Sequence, residues 1–409
     1  MAAGFKRALR HGLRLPGALA VAILAAMPRP PIPADPRKIA NIERLRGVAA
    51  LAVVVCHIAG HFYGFTRVSP GPEKLFGWLG EVGVALFFVI SGFCIRLPEA
   101  RALRADGKVQ LDVREFLARR FLRIAPPYWL ALAGSIAVGA LIKTELIDGA
   151  HTPTDIAAHV LALHTLLPST LTGTNGVFWT IGLEVHFYLA YLLFANRPAR
   201  VWTAAALLVL GLAVFGAASR LLPAANPWRI VGQTFFLTSF WQWYLGALIA
   251  DWFVRRPRAA PAGALWLGRT TAVAGALSLG LVDPRVMGLH VNGWLLPFGA
   301  AAIVALFVLR PARAGADPAL IEPLDALGRA SYSLYLFHPI ALSLAAFALA
   351  GRDVPTWIGA TACLALSLLL AAASYGLIER PLLRWRARLR RDRRALNSGV
   401  IEGQLAGGA

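Results

Sequence analysis

Residues 42–63 read IERLRGVAALAVVVCHIAGHFY. From Gly47 to Cys56 the chain holds only small and aliphatic residues and one cysteine, with Arg46 before them and His57 after. A membrane-crossing helix needs roughly 20 mostly apolar residues, and this stretch is long enough. Working outward, the same signature recurs down the chain, at about 42–63, 77–97, 127–147, 178–196, 201–222, 232–254, 264–282, 291–310, 331–350 and 356–379. The expectation is an all-α, polytopic transmembrane bundle of about ten spans. Composition agrees: 57% of the 409 residues are hydrophobic and 15% are charged, where a soluble domain carries about a quarter.

The gaps between spans carry a second signal. A strongly basic gap holds Arg96, Arg101, Arg104, Lys108, Arg114, Arg119, Arg120 and Arg123, whereas the gap after it has Asp148 and Asp155 and almost no cation. Basic and non-basic gaps alternate, least cleanly around Arg220 and Arg229. The positive-inside rule then places both termini in the cytoplasm. The formal net charge of +20 falls in these gaps, so it reads as orientation in the lipid bilayer and not as nucleic-acid binding. Residues 1–40 form a basic, Pro-rich leader, which fits either a weak signal peptide or a cytoplasmic or interfacial segment. Residues 41–385 form the membrane domain, and 386–409 form a polar tail expected to be disordered. The three cysteines, Cys56, Cys94 and Cys363, all lie in apolar runs and indicate neither a disulfide framework nor a metal site.

Three constellations could do chemistry. Arg46 and His57 are about three helical turns apart, on one face, separated by roughly 16 Å. An ionisable group as deep as His57 is functional by default, against the plainer reading of a core histidine bonded to a neighbouring helix. Arg120 and Arg123, at i and i+3 with Arg119 beside them, suit the phosphates of a nucleotide-like ligand, or else a simple membrane anchor. Pro126 and Pro127 follow and are expected to end that helix. Glu184 and His186 lie inside a span but on different faces, while Glu184 and Tyr188 share one. Other polar positions read as structural: His338-Pro339 as a kink, Glu379 with Arg380 and Asp251 with Arg255 as local ion pairs, and His151-Thr-Pro-Thr-Asp155 as a coincidental spacing in an external loop. No serine-nucleophile elbow, Walker motif or dinucleotide fingerprint occurs.

Six motifs in order then carry a resemblance. They are IERLRGVAALAVVVCH (42–57), GEVGVALFFVISGF (80–93), FLARRFLRIAPPYW (116–129), FWTIGLEVHFYL (178–189), LGRASYSLYLFHPI (327–340) and SYGLIERPLLRW (374–385). The chain resembles the acyltransferase type 3 family of membrane proteins, which includes O-antigen, nodulation-factor and macrolide acyltransferases. The resemblance implies an O-acyltransferase of the bacterial inner membrane. It would draw on acyl-CoA, by default acetyl-CoA, as co-substrate with no bound cofactor, and act on a carbohydrate or glycoconjugate hydroxyl. The family's motifs fall on Arg46 and His57, on Arg120 and Arg123, and on Trp179 and Glu184. The reading built on them expects His57 and Glu184 in catalysis, Arg46, Arg120 and Arg123 on the donor, and Trp179, with Tyr188 and His186 from the same span, on the acceptor. Thr180 and Ile181 replace the Ser and Leu of the family's Trp-Ser-Leu-x-x-Glu pattern, Glu43 stands where Asp is frequent, and Val185 stands where a second Glu is frequent. His57 would act as general base or as an acyl carrier. A transporter or flippase for glycan or lipid-linked substrates is the reading from a different class, since deep His and Glu also serve those; another membrane acyltransferase fold, with His338 catalytic, is a third.

Overall fold

The computed structural model describes residues 36–67, 69, 71–109, 111–142, 147, 151–255, 266, 268–270, 272, 273, 275, 285, 286, 289–308, 318–385 and 388. The expected leader and tail, and most of the expected span at 264–282, lie outside the described residues. The helices are α1 (Pro36–Tyr63), α2 (Lys74–Asp106), α3 (Val113–Leu141), α4 (Pro153–Val160), α5 (Trp179–Tyr191), α6 (Val201–Leu221), α7 (Trp228–Thr234), α8 (Phe236–Arg255), α9 (Val291–Val308), α10 (Pro318–Arg329), α11 (Ser331–Leu349) and α12 (Thr356–Ser374). A two-residue antiparallel pair, Arg285–Val286 with Leu289–His290, precedes α9. Among the described residues, six helices are long and apolar enough to cross a membrane: Asn41–Tyr63, Lys74–Asp106, Val113–Leu141, Val201–Leu221, Ser331–Leu349 and Thr356–Trp385. The protein is thus an all-helical, multi-pass membrane bundle.

Small residues let its central helices touch. A Cβ on Gly92 of α2 would lie 1.8 Å from the Trp243 carbonyl oxygen of α8, and one on Gly246 of α8 would lie 1.9 Å from that of Val89. These two glycines interlock α2 and α8 backbone to backbone, as small residues do between membrane helices. Gly83 of α2 does the same against α1, where its Cβ would sit 2.6 Å from the Ala49 oxygen.

Four sequence expectations change here. α2 continues past residue 97 to Asp106 and ends on Gly107, whose φ of 71° is the left-handed conformation that glycine adopts without cost. Arg96 is therefore inside a helix and not in a loop. It is 1% exposed and pairs with Asp251 of α8 at 2.8 Å, while donating to the Ala195 carbonyl at 2.6 Å. The expected Asp251–Arg255 pair is also present, at 4.0 Å, with the Arg255 side chain mostly exposed. α3 does not end at Pro126 and Pro127; it runs through both to Leu141. Glu379 accepts from Ser333 of α11 and not from Arg380.

The fourth difference concerns residues 151–178. They fold back along α3 instead of forming a loop outside the bundle. His151 lies against Gly139, Asn175 donates to Ser135 at 2.9 Å, and the Tyr128 hydroxyl donates to the His159 carbonyl at 2.9 Å. From Gly139 to Tyr128 these contacts step back about 16 Å along the helix. Irregular backbone at such depth survives only when protein satisfies it. Here Thr174 donates to Asp155, the His159 ring meets the same carboxylate at 3.2 Å, and His164 Nε2 donates to the Phe178 carbonyl at 2.9 Å. His151 and Asp155 are joined through Thr174, in a structural role. The span expected at 178–196 is in consequence a half-crossing: α5 has 13 residues and starts inside the bundle at Trp179.

The Arg96–Asp251 pair generates a prediction. Replacing Asp251 with Ala strands a buried guanidinium, and thermal unfolding in nanodiscs should show a loss of about 3–5 kcal/mol. Arg255→Ala, at the exposed partner, should cost less than about 1 kcal/mol. Equal effects of the two would contradict the assignment.

Candidate functional site

A cavity opens between α1, α2, α3, α5 and α11. Glu43, Arg46, Arg120 and Arg123 stand at one end, Ser91, Cys94, Glu184 and Tyr188 along the wall, and Phe87, Thr180 and Tyr335 at the other end. Each helix contributes for a local reason. Arg120 and Arg123 are one turn apart on α3, just before its two prolines, which cannot donate to the carbonyls of Leu122 and Arg123. Glu184 and Tyr188 are one turn apart on α5. Ser91 sits one residue before Gly92, where α2 meets α8 most closely.

The polar groups of the wall form a directed chain. Trp243 Nε1–H donates to Ser91 Oγ at 3.2 Å, and the Ser91 hydroxyl donates to Glu184 Oε1 at 2.9 Å. The Tyr188 hydroxyl donates to the same oxygen. Glu184 Oε2 makes no protein hydrogen bond among the described residues. The carboxylate is held on one oxygen and offers the other to the cavity.

The cations divide into two kinds. Arg46 pairs with Glu43 at 3.2 Å. Arg120 lies over the rings of Phe116 and Tyr188, at 5.4 Å and 5.8 Å from their centroids. Neither Arg120 nor Arg123 forms an ion pair among the described residues, although both are largely covered. A covered guanidinium without a carboxylate is costly unless an anion arrives. A neighbouring cavity shares Glu43, Arg46 and Arg123 and is bounded on its far side by Arg329, Tyr375 and Glu379. Glu379 belongs to a π-helical turn, Tyr375–Glu379, in the last crossing. Such turns are rare and frequent at functional sites.

Of the residues expected from sequence, Arg46, Arg120, Arg123, Glu184 and Tyr188 meet in this cavity. Trp179 and His186 do not line it. Trp179 opens α5 and packs on the core, and His186 turns to the opposite face, stacked on Phe236 at 5.6 Å with Nδ1 2.6 Å from the Gly182 carbonyl. His57 does not line the cavity. Its ring meets that of His338 on α11, one turn past Tyr335, with Nδ1 3.1 Å from His338 Nε2. Glu184 does not touch His57. Sequence reasoning did not place Ser91, Thr180, Tyr332 and Tyr335 in the lining: Ser91 stood out only for close helix approach, Tyr332 and Tyr335 only as polar positions of a span, and Thr180 only as a departure from the family pattern.

Comparisons with known proteins place this arrangement. A family model described as an acyltransferase domain matches residues 39–376. A putative membrane-bound transacylase, BcsY, of Komagataeibacter xylinus is 28% identical over 83% of this chain and 82% of its own length. The exopolysaccharide production protein ExoZ of Rhizobium meliloti is 31% identical over 76% of this chain and 92% of its own. The peptidoglycan O-acetyltransferase OatA of Listeria monocytogenes is 23% identical over 84% of this chain and 55% of its own. No solved structure matches.

Proposed function

The chain belongs to the membrane acyltransferase family whose model matches residues 39–376, and from that premise we propose that it moves an acyl group, acetyl by default, from acyl-CoA to a hydroxyl of a carbohydrate or glycoconjugate. The observation that carries the donor is the pair of covered, unpaired guanidinium groups on Arg120 and Arg123 at the end of a cavity. Guanidinium forks match phosphate oxygens, and the pyrophosphate and 3′-phosphate of CoA are such anions. The relatives named for exopolysaccharide production and for peptidoglycan O-acetylation support the acceptor class. We read the site as lying in the bacterial inner membrane, in a bundle of about ten spans with both termini and the arginine end cytoplasmic.

In this reading Arg120, Arg123 and Arg46 hold the phosphates, and the pantetheine arm runs along Ser91, Glu184 and Tyr188 toward Tyr335. Arg46 and His57 are roughly 16 Å apart on α1, a distance an extended pantetheine arm spans. The thioester carbonyl then arrives beside Phe87 and Tyr335, whose rings stand 5.7 Å apart, on the side toward His338 and His57. The acceptor oxygen attacks the thioester carbon while His57 takes its proton. The C–S bond breaks, and the proton passes from His57 to the departing thiolate. Glu184, through its free oxygen, binds either the amides of the arm or the acceptor. Transfer by way of an acyl-histidine uses the same residues in two steps, and trapping labelled acyl-enzyme in the absence of acceptor separates the two routes. Trp179 and His186, away from the cavity, act on the acceptor only from outside this lining.

Release of CoA from acetyl-CoA by the protein in nanodiscs tests the reading. His57→Ala should lower turnover at least about 100-fold. Arg123→Ala should raise the KM for acetyl-CoA about tenfold or more while leaving kcat closer to wild type, as the loss of a charged hydrogen bond implies. Turnover that survives His57→Ala, or a KM indifferent to Arg123, would overturn these roles.

A further inference from the structure

We propose that His338 is a positioning residue that, together with the Val53 carbonyl, fixes the tautomer of His57, and that Pro339 is what sets His338 in place. The proposal rests on the reading of His57 as the base. Its starting point is the helix itself. Pro339 lies inside α11 and has no N–H, so the carbonyl four residues back, that of Tyr335, loses its helical donor. A buried carbonyl seeks a replacement. His338 Nδ1 supplies it, at 2.7 Å from the Tyr335 oxygen. A carbonyl only accepts, so the Nδ1 of His338 carries the hydrogen. Neutral His338 then presents a bare lone pair on Nε2.

That lone pair points at His57. His338 Nε2 stands 3.1 Å from His57 Nδ1, and His57 Nδ1 is also 3.0 Å from the Val53 carbonyl oxygen, one turn back on α1. Both neighbours are acceptors, so the hydrogen of neutral His57 sits on Nδ1. Its Nε2 is left unprotonated, with no protein partner among the described residues. His57 is thereby held in the form a base needs, with one nitrogen anchored and the other free. Both ring orientations are fixed, since the centroids are 5.0 Å apart and tilted by 30°. His338 is 2% exposed and cannot trade this role for water.

The proton account balances. The acceptor hydroxyl gives its proton to His57 Nε2 as its oxygen attacks. The resulting imidazolium keeps its Nδ1–H directed at His338 Nε2 and at the Val53 oxygen, which disperse the new charge. The proton on Nε2 leaves with the thiolate. His338 gains and loses nothing and touches neither substrate. A carboxylate does the equivalent work in serine hydrolases, where a wrong tautomer costs about 10⁴ in kcat. Among the described residues no carboxylate bonds to His57, and the His-Pro dipeptide stands in for one.

The test reads the tautomer directly. With ¹⁵N-imidazole histidine in nanodiscs, the His57 signals are identified by their loss in His57→Ala. In the wild type they should report a protonated Nδ1 and a bare Nε2; a protonated Nε2 overturns the proposal without any variant at 338. His338→Leu, which leaves the Val53 carbonyl alone on His57 Nδ1–H, should loosen the ring so that part of the His57 signal moves to a protonated Nε2, and should lower kcat about 100-fold or more, with the KM for acetyl-CoA within twofold of wild type. His338→Gln, whose amide oxygen can accept from His57 Nδ1–H, should recover at least tenfold over Leu. Equal activity of Leu and wild type, or equal loss in Leu and Gln with the His57 signal unchanged, overturns it. An active His57→Ala sinks the base reading itself, whereas an essential His57 beside a dispensable His338 sinks only this inference.

Discussion

In lipid, a polar group that finds no partner inside the protein stays unsatisfied, and this rule orders the whole structure. Arg96 is tolerated inside α2 because Asp251 and the Ala195 carbonyl meet it. The irregular segment at 151–178 can lie along α3 because Asp155, His159, His164 and Thr174 bond one another and the local backbone. The break that Pro339 makes in α11 is closed by His338. Other buried polar atoms, such as Glu99 Oε2 and the Tyr191 hydroxyl, also lack a hydrogen-bond partner among the described residues, but one set of such groups converges on a single space. Arg120, Arg123 and the second oxygen of Glu184 surround one cavity, and what they lack in protein partners defines what a ligand must bring.

Close helix contact makes that cavity possible. The interlocked Gly92 and Gly246 pin α2 to α8, which fixes Ser91 where Trp243 can donate to it. Ser91 in turn holds Glu184. The position of a carboxylate on α5 is thus set by two glycines on other helices. α5 can face inward over a short length because the segment before it fills the rest of the crossing.

Much of this was legible in the sequence. Apolar runs located the six long apolar helices; intramembrane charge picked out Glu184, and clustered cations at a membrane entrance picked out Arg120 and Arg123, with Arg46 at the cytoplasmic end of the first span. Periodicity could not show the half-crossing of α5, since residues 178–196 are apolar whether the helix is whole or broken. It could not show that Arg96 is buried, because an arginine at the end of an apolar run looks the same in a loop and in a helix that continues. Pro126 and Pro127 were read by their local preference to end a helix, which the packing of α3 overrides. His338 and His57 are 281 positions apart, and nothing local to either names the other.

Whether the arginine-ended cavity seats a CoA thioester with its acyl group directed at His57 is tested most directly by photo-crosslinking with a CoA thioester whose acyl chain carries a diazirine, mapped by mass spectrometry. The label should fall on residues around Phe87, Tyr335 and His57, and both excess acetyl-CoA and the Arg120→Ala/Arg123→Ala double variant should suppress it. Label confined to outward-facing positions such as Trp202, or indifferent to acetyl-CoA, would contradict the account.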